Sequence, residues 1–181
     1  PLGPIAYIIK ARVTLLRDLG SSMSPFNAFL TLQGLETLAL RIAKHCENTQ
    51  KVVDFLKKRP EITRIIHPSV QTGVHRQRAE RYLKGGLGGL VGFELAAGKE
   101  AGRRFIDALE MFYHVANIGD ARSLAIHPAT TTHSQLTPQE QGATGVSDGY
   151  VRLSVGIEHI DDIIADIERG LSAAGKLAKA A

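Results

Sequence analysis

Tryptophan is absent from this sequence, cysteine occurs once, and aromatic residues make up only 6% of the 181 positions. With Cys46 as the lone thiol there can be no internal disulfide, so a small stapled scaffold is excluded. No apolar run approaches the roughly 18 residues that a membrane-crossing helix needs. The first residues, Pro1 to Lys10, lack the charged start and small-residue cleavage site of a secretory signal. These absences lead us to expect a soluble, cytoplasmic protein with no membrane partner. Charge of one sign is also scarce: the net charge is +4 and the pI about 9.3. The basic residues gather in Lys57-Lys58-Arg59 and in Arg76, Arg78, Arg81 and Lys84. Neither cluster interleaves with aromatics or matches a reading motif, so both read as solvated helix faces and no nucleic-acid partner is expected.

What is present is enough for an ordinary core: 44% of residues are apolar and 22% charged, in the range of one globular domain. From Ser24 to about Lys58 the pattern is helical. Ser24 can cap, Pro25 suits the first helical position, and apolar residues recur at Phe26, Phe29, Leu30, Leu35, Leu38, Ile42, Val53 and Leu56. Gly34 is the expected weak point of so long a helix, and Arg59-Pro60 should end it. Cys46 falls on the apolar side with Ile42 and Ala39 and is expected to be a buried, inert thiol.

Beyond Glu61 the pattern shortens, which places a domain boundary there, with residues 1–60 as a linking helical segment and 61–181 as a second domain. Strands are expected at Ile62 to Ile66, Leu90 to Leu95, His114 to Ile118, Leu124 to His127 and Tyr150 to Val155. Helices are expected at Gly73 to Leu83, from about Lys99 to Phe112, and from Ile160 through Leu171, the tail after Gly170 being weakly determined. Thr137 and Glu140 form a capping box that should start a further short helix. The glycines from Gly85 to Gly89 fit a turn, because they match neither dinucleotide nor P-loop spacing. The order describes an α/β fold of the α+β kind, a sheet covered by helices.

Three places carry polar groups that a plain core does not require. The stretch from Gly119 to His133 concentrates hydroxyls, imidazoles and Arg122 around a short strand, and by composition it reads as an exposed loop. In the strand Val151-Arg152-Leu153-Ser154-Val155, alternation puts Tyr150, Arg152 and Ser154 on one face. Arg152 then either decorates a wet face or presents a fixed guanidinium suited to a two-pronged grip on a carboxylate. The histidines His114, His127 and His133 have no metal-ligand spacing, so no metal site is expected. No nucleophile elbow surrounds a serine, which argues against a triad of Ser123, His127 and Asp120.

Taken together, Gly119-Asp120-Ala121-Arg122-Ser123-Leu124, His127-Pro128-Ala129-Thr130-Thr131-Thr132-His133 and Ser147-Asp148-Gly149-Tyr150-Val151-Arg152-Leu153-Ser154-Val155-Gly156 resemble the C-terminal signature of the Cys/Met-metabolism pyridoxal-phosphate enzymes. Ser24 to Leu30 and Gly34 to Leu38 resemble that family's linking helix, so the resemblance runs over nearly the whole chain. It implies the C-terminal small domain of a fold-type I PLP transferase, preceded by the long linking helix. The stretch from Ile118 to His133 is most similar to the O-acetylhomoserine sulfhydrylases, which exchange the acetate of O-acetylhomoserine for sulfide to give homocysteine, with the cofactor as electron sink. The same domain of a cystathionine γ-synthase or a methionine γ-lyase is the neighbouring reading, and a non-catalytic binding or assembly module the more distant one.

By motif the resemblance implies that Arg152 grips the α-carboxylate of a small amino-acid substrate and that Ser123 sits beside that carboxylate. Arg122 would lie where the family tunes side-chain choice. It also implies a homo-oligomer for an intact enzyme. The family's cofactor lysine lies in a Ser-x-Thr-Lys setting, and no lysine from Lys10 to Lys179 has that context. No catalytic residue is therefore assigned, the cofactor-binding residues are unknown, and pyridoxal phosphate is not expected to be covalently held by this chain, which alone should be inactive.

Overall fold

The structure is a computed structural model that describes residues 3–175. The chain forms two compact units that meet in sequence between Ala39 and Leu40. The assignment of 1–60 and 61–181 to two roles within a larger protein stays a proposal.

The regular structure described in the first unit is all helical. A turn α1 (Ala6–Ile9) runs into a π-helical stretch, Lys10–Leu16, and closes in α2 (Arg17–Leu19), which ends at Gly20 with a left-handed φ of 66°. Helix α3 (Pro25–Glu36) starts as expected, with the Ser24 hydroxyl accepting the Asn27 N–H and Pro25 in the first turn. It passes through Gly34 and stops at Thr37, where φ is −104° and ψ 5°. The interruption therefore falls three residues after the expected weak point. Glycine lowers helix propensity by about 1 kcal/mol but keeps its N–H, so it weakens a helix without cutting it.

The second unit is built on a five-stranded sheet in the order β1-β2-β5-β4-β3. Its strands are β1 (Ile62–Ile66), β2 (Leu90–Leu95), β3 (Tyr113–His114), β4 (Leu124–Ile126) and β5 (Tyr150–Ser154). All neighbours are antiparallel except the β3 and β4 pair. Helices α4 (Leu38–Leu56), α5 (Gly73–Tyr82), α6 (Gly98–Asp107), α7 (Pro138–Ala143) and α8 (Ile160–Gly175) complete it. Period-2 alternation decides the faces. Val91, Phe93, Leu95, Val151, Leu153 and Val155 are buried against Val52, Val53 and Leu56 of α4, Phe105 of α6, and Ile163, Ile167 and Leu171 of α8. Phe93 and Phe105 meet edge to face with centroids 5.3 Å apart.

Three expectations are corrected here. Cys46 is half-buried, because the covered side of α4 is His45, Asn48, Thr49 and Val52, one residue round from the face read off the sequence. Helix α6 ends at Asp107, well before Phe112. The cause is remote in sequence: the buried carboxylate of Asp166 accepts the backbone N–H groups of Glu110, Met111 and Phe112 at 2.9, 2.9 and 3.0 Å, pulling that segment out of helical register. Strand β3 has two residues instead of a run to Ile118. Past His114 the chain turns out of the sheet and is held from β5, with the Ala116 carbonyl taken by Arg152 and the Gly119 N–H by the Ser154 hydroxyl.

The capping box forms as read, with Thr137 and Glu140 bonded reciprocally. The last helix continues past Gly170 to Gly175, and the remainder of the tail lies outside the described residues.

Candidate functional site

The face of the sheet opposite the core carries Leu90, Gly92 and Glu94 of β2 and Tyr150, Arg152 and Ser154 of β5, in register as Leu90 with Ser154, Gly92 with Arg152 and Glu94 with Tyr150. Helix α5 runs beside this face, and together they enclose a groove of about 680 Å³. Polar groups around it come from Arg152, Tyr150, His67, His75 and Arg78. Gly92 makes room for this arrangement, since a side chain there would collide with the Tyr150 ring. That ring is half-buried, and burial raises the Tyr150 pKa above its ordinary value.

Arg152 stands on the groove side of β5. Its Nη2 donates to the Ala116 carbonyl at 2.8 Å, which fixes the guanidinium without neutralising it, and no carboxylate is paired with it among the described residues. Elsewhere on the sheet the exposed Arg64 is paired across strands with Glu94 at 3.3 Å.

Ser123 is placed differently. It does not line the groove, it has no exposed surface, and its polar groups are occupied. Its backbone N–H and its hydroxyl donate to the two carboxylate oxygens of Glu158 at 2.6 and 2.9 Å, and its hydroxyl accepts the Gly156 N–H at 2.9 Å. The structure thus ties Ser123 to the end of β5 rather than opening it to the groove with Arg152. Arg122, the next residue back, is exposed and lays its guanidinium 4.9 Å from the centroid of the Tyr113 ring.

Glu158 and Asn48 were missed in the sequence. The Asn48 amide donates to the carbonyls of Gly156 and Glu158 at 3.0 and 2.9 Å. The signal for Glu158 was its place two residues beyond Gly156, where a turn leaving a buried strand can send a side chain back on itself. Arg78 is exposed, as a solvated helix face requires, and it also lines the groove, which its place in a basic cluster did not reveal.

His127 serves the frame. It is buried, with Nε2 on the Asp148 carbonyl at 2.7 Å and Nδ1 2.9 Å from the Thr130 hydroxyl; a carbonyl only accepts, so the Nε2 proton is the one present. His67 takes the Ser69 N–H on Nδ1, and its Nε2 is buried. Burial holds both imidazoles below the usual histidine value. Among the described residues no three metal-ligating side chains come together, and no helix is long and apolar enough to cross a membrane.

A pyridoxal-phosphate site needs a lysine for the carbonyl carbon and an acid for the ring nitrogen. The groove lining supplies neither, so these residues do not by themselves make such a site.

Comparison with known proteins places the chain. The family described as Cys/Met metabolism PLP-dependent enzyme matches residues 6–172. The O-acetyl-L-homoserine sulfhydrylase of Leptospira meyeri is 54% identical over 168 residues, covering 92% of this chain and 38% of that protein. A solved candidate O-acetylhomoserine (thiol)-lyase of Campylobacter jejuni, holding N'-pyridoxyl-lysine-5'-monophosphate, superposes with a TM-score of 0.83 at 42% identity, over 95% of this chain and 41% of that one. The cystathionine gamma synthase of Xanthomonas oryzae, solved with aminoacrylate and cysteine, also reaches 0.83, at 37% identity over 94% of this chain and 44% of that one. The chain thus spans about two fifths of the length of the relatives it matches.

Proposed function

This chain belongs to the Cys/Met-metabolism PLP-dependent enzymes, and from that premise we propose that it forms the C-terminal part of an O-acetylhomoserine sulfhydrylase, supplying the substrate-carboxylate side of the pocket. One observation carries the reading: Arg152 is fixed on a concave face with no acid paired to it among the described residues. A guanidinium so held presents parallel donors to the α-carboxylate of an amino acid, which lysine cannot do with a single ammonium. The residues of this chain bind and orient; the cofactor lysine and its surroundings come from the portion of such an enzyme that these residues do not include. In this reading the cofactor is pyridoxal phosphate, the substrate O-acetylhomoserine with sulfide, and the assembled enzyme a homo-oligomer.

The test is a hybrid in which these 181 residues replace the matching stretch of the Leptospira meyeri enzyme. The hybrid should make homocysteine from O-acetylhomoserine and sulfide, whereas the chain alone, dialysed after incubation with pyridoxal phosphate, should keep no visible band of lysine-bound cofactor. A second reading, the cystathionine-forming branch, is favoured by the equal structural similarity to the Xanthomonas oryzae synthase. Offering the hybrid cysteine in place of sulfide separates the two, since preferential cystathionine formation would replace the sulfhydrylase assignment.

A further inference from the structure

We infer that Glu158 is a positioning residue that holds the Ala121–Ser123 segment against the end of β5 and thereby sets how well the pocket takes an amino-acid carboxylate. The inference rests on the proposed role of Arg152 and of the segment that bears Ser123 and Arg122.

The geometry is unusually complete for a loop. Glu158 binds Ser123 with both oxygens, one on the backbone N–H and one on the hydroxyl. The Ser123 hydroxyl passes the connection on by accepting the Gly156 N–H, and the Ile157 N–H donates to the Ala121 carbonyl at 2.9 Å. Asn48, buried in α4, clamps the carbonyls on either side of Ile157, so the turn carrying Glu158 is itself tied to the core. Gly156 completes the fit: a Cβ there would strike the Glu158 carboxylate, the Ala121 carbonyl and the backbone of Arg122. The segment lies flat on a glycine and is gripped from above by a carboxylate.

This construction has a functional consequence that Ser123 alone does not. With its N–H and O–H both committed to Glu158, Ser123 acts through where it puts its neighbours, and Arg122 is the exposed side chain it delivers. Arg152 hangs on the same loop by its bond to Ala116, and Ser154 holds Gly119, so both ends of the loop are anchored to β5. Releasing Glu158 frees the far anchor while leaving the Arg152 contact in place. Charge-assisted bonds of this kind are the stronger class, and they are lost when the carboxylate becomes an amide that must turn a donor toward Ser123.

Two measurements test this. In the 181-residue chain, Glu158→Gln should speed hydrogen exchange of the Ser123 amide at least tenfold, with Val151 and Leu153 in the strand core unchanged. In the hybrid enzyme the same variant should raise KM for O-acetylhomoserine about tenfold with a smaller change in kcat, and Gly156→Ala, whose methyl would push against the Glu158 carboxylate, the Ala121 carbonyl and the Arg122 backbone, should do likewise. A fold-wide loss instead would speed exchange throughout and lower kcat with KM unmoved, overturning the inference. Normal KM in Glu158→Gln beside a raised KM in Arg152→Lys would also overturn it and leave the carboxylate reading standing. If Arg152→Lys is itself silent, that reading falls, and unchanged Ser123 exchange in Glu158→Gln would then remove the positioning role as well.

Discussion

Glu158 holds Ser123 by two bonds from one carboxylate, 2.6 Å to the backbone N–H and 2.9 Å to the hydroxyl, although 35 residues separate them in the chain. The hydroxyl sits between that carboxylate and the Gly156 N–H, with no exposed surface. Ser123→Ala should therefore destabilise the fold by about 1–3 kcal/mol despite the small change in volume, because both partners lose a bond in a buried setting. Denaturant melts of the 181-residue chain would measure it, and a change under about 0.5 kcal/mol, typical of a surface substitution, would contradict it.

Asp166 should be worth more. One carboxylate accepts three consecutive backbone N–H groups and is paired with Arg169 at 2.6 Å. Asp166→Ala leaves those donors without a partner under α8, and a loss of about 3 kcal/mol is expected, with Met111 and Phe112 amides exchanging faster. Normal stability in this variant would show that the turn after α6 is held by other contacts.

Stability should fall on mild acidification. His67 and His127 are both buried, and burial lowers both folded-state pKa values from the usual 6.5. The unfolded chain then binds protons first as pH drops, so stability is full above about pH 7 and declines below 6.5 until the folded-state values are passed. Melts from pH 8 to 5 should show this decline, and His127→Gln should make it shallower. A stability that rises on acidification over that range would reverse the assignment.

The sequence revealed the β2 and β5 pattern because both strands alternate cleanly, and the capping box at Thr137 because its two bonds are local. It did not reveal where α6 ends or what holds Ser123. Both depend on a carboxylate far along the chain, Asp166 in one case and Glu158 in the other, and no local periodicity reports such a partner. Cys46 shows a smaller failure of the same kind: the apolar pattern of α4 was read one residue off, because polar His45, Asn48 and Thr49 occupy the covered face. Of the candidate site, Arg152 was legible from alternation, while the groove beside it required knowing that α5 lies along that face.

Self-association is expected of the isolated chain. Phe26, Phe29, Leu30, Leu32 and Leu35 of α3 are all more than half exposed, an apolar run of the kind that seeks cover. Light scattering over a concentration series should show mass rising with concentration, and Phe29→Ser should reduce it. A strictly monomeric chain at high concentration would contradict this.

Arg152 is proposed to take the substrate carboxylate, and its replacement tests that role most directly. In the hybrid enzyme, Arg152→Lys should lower kcat/KM for O-acetylhomoserine by about 1.5–3 kcal/mol, roughly ten- to 150-fold, chiefly through the loss of a two-pronged charge-assisted contact. Thermal stability should change little, since the residue lies outside the core. Wild-type kinetics in the lysine variant would contradict the claim, because a lysine keeps the charge but cannot reproduce the planar pair of donors.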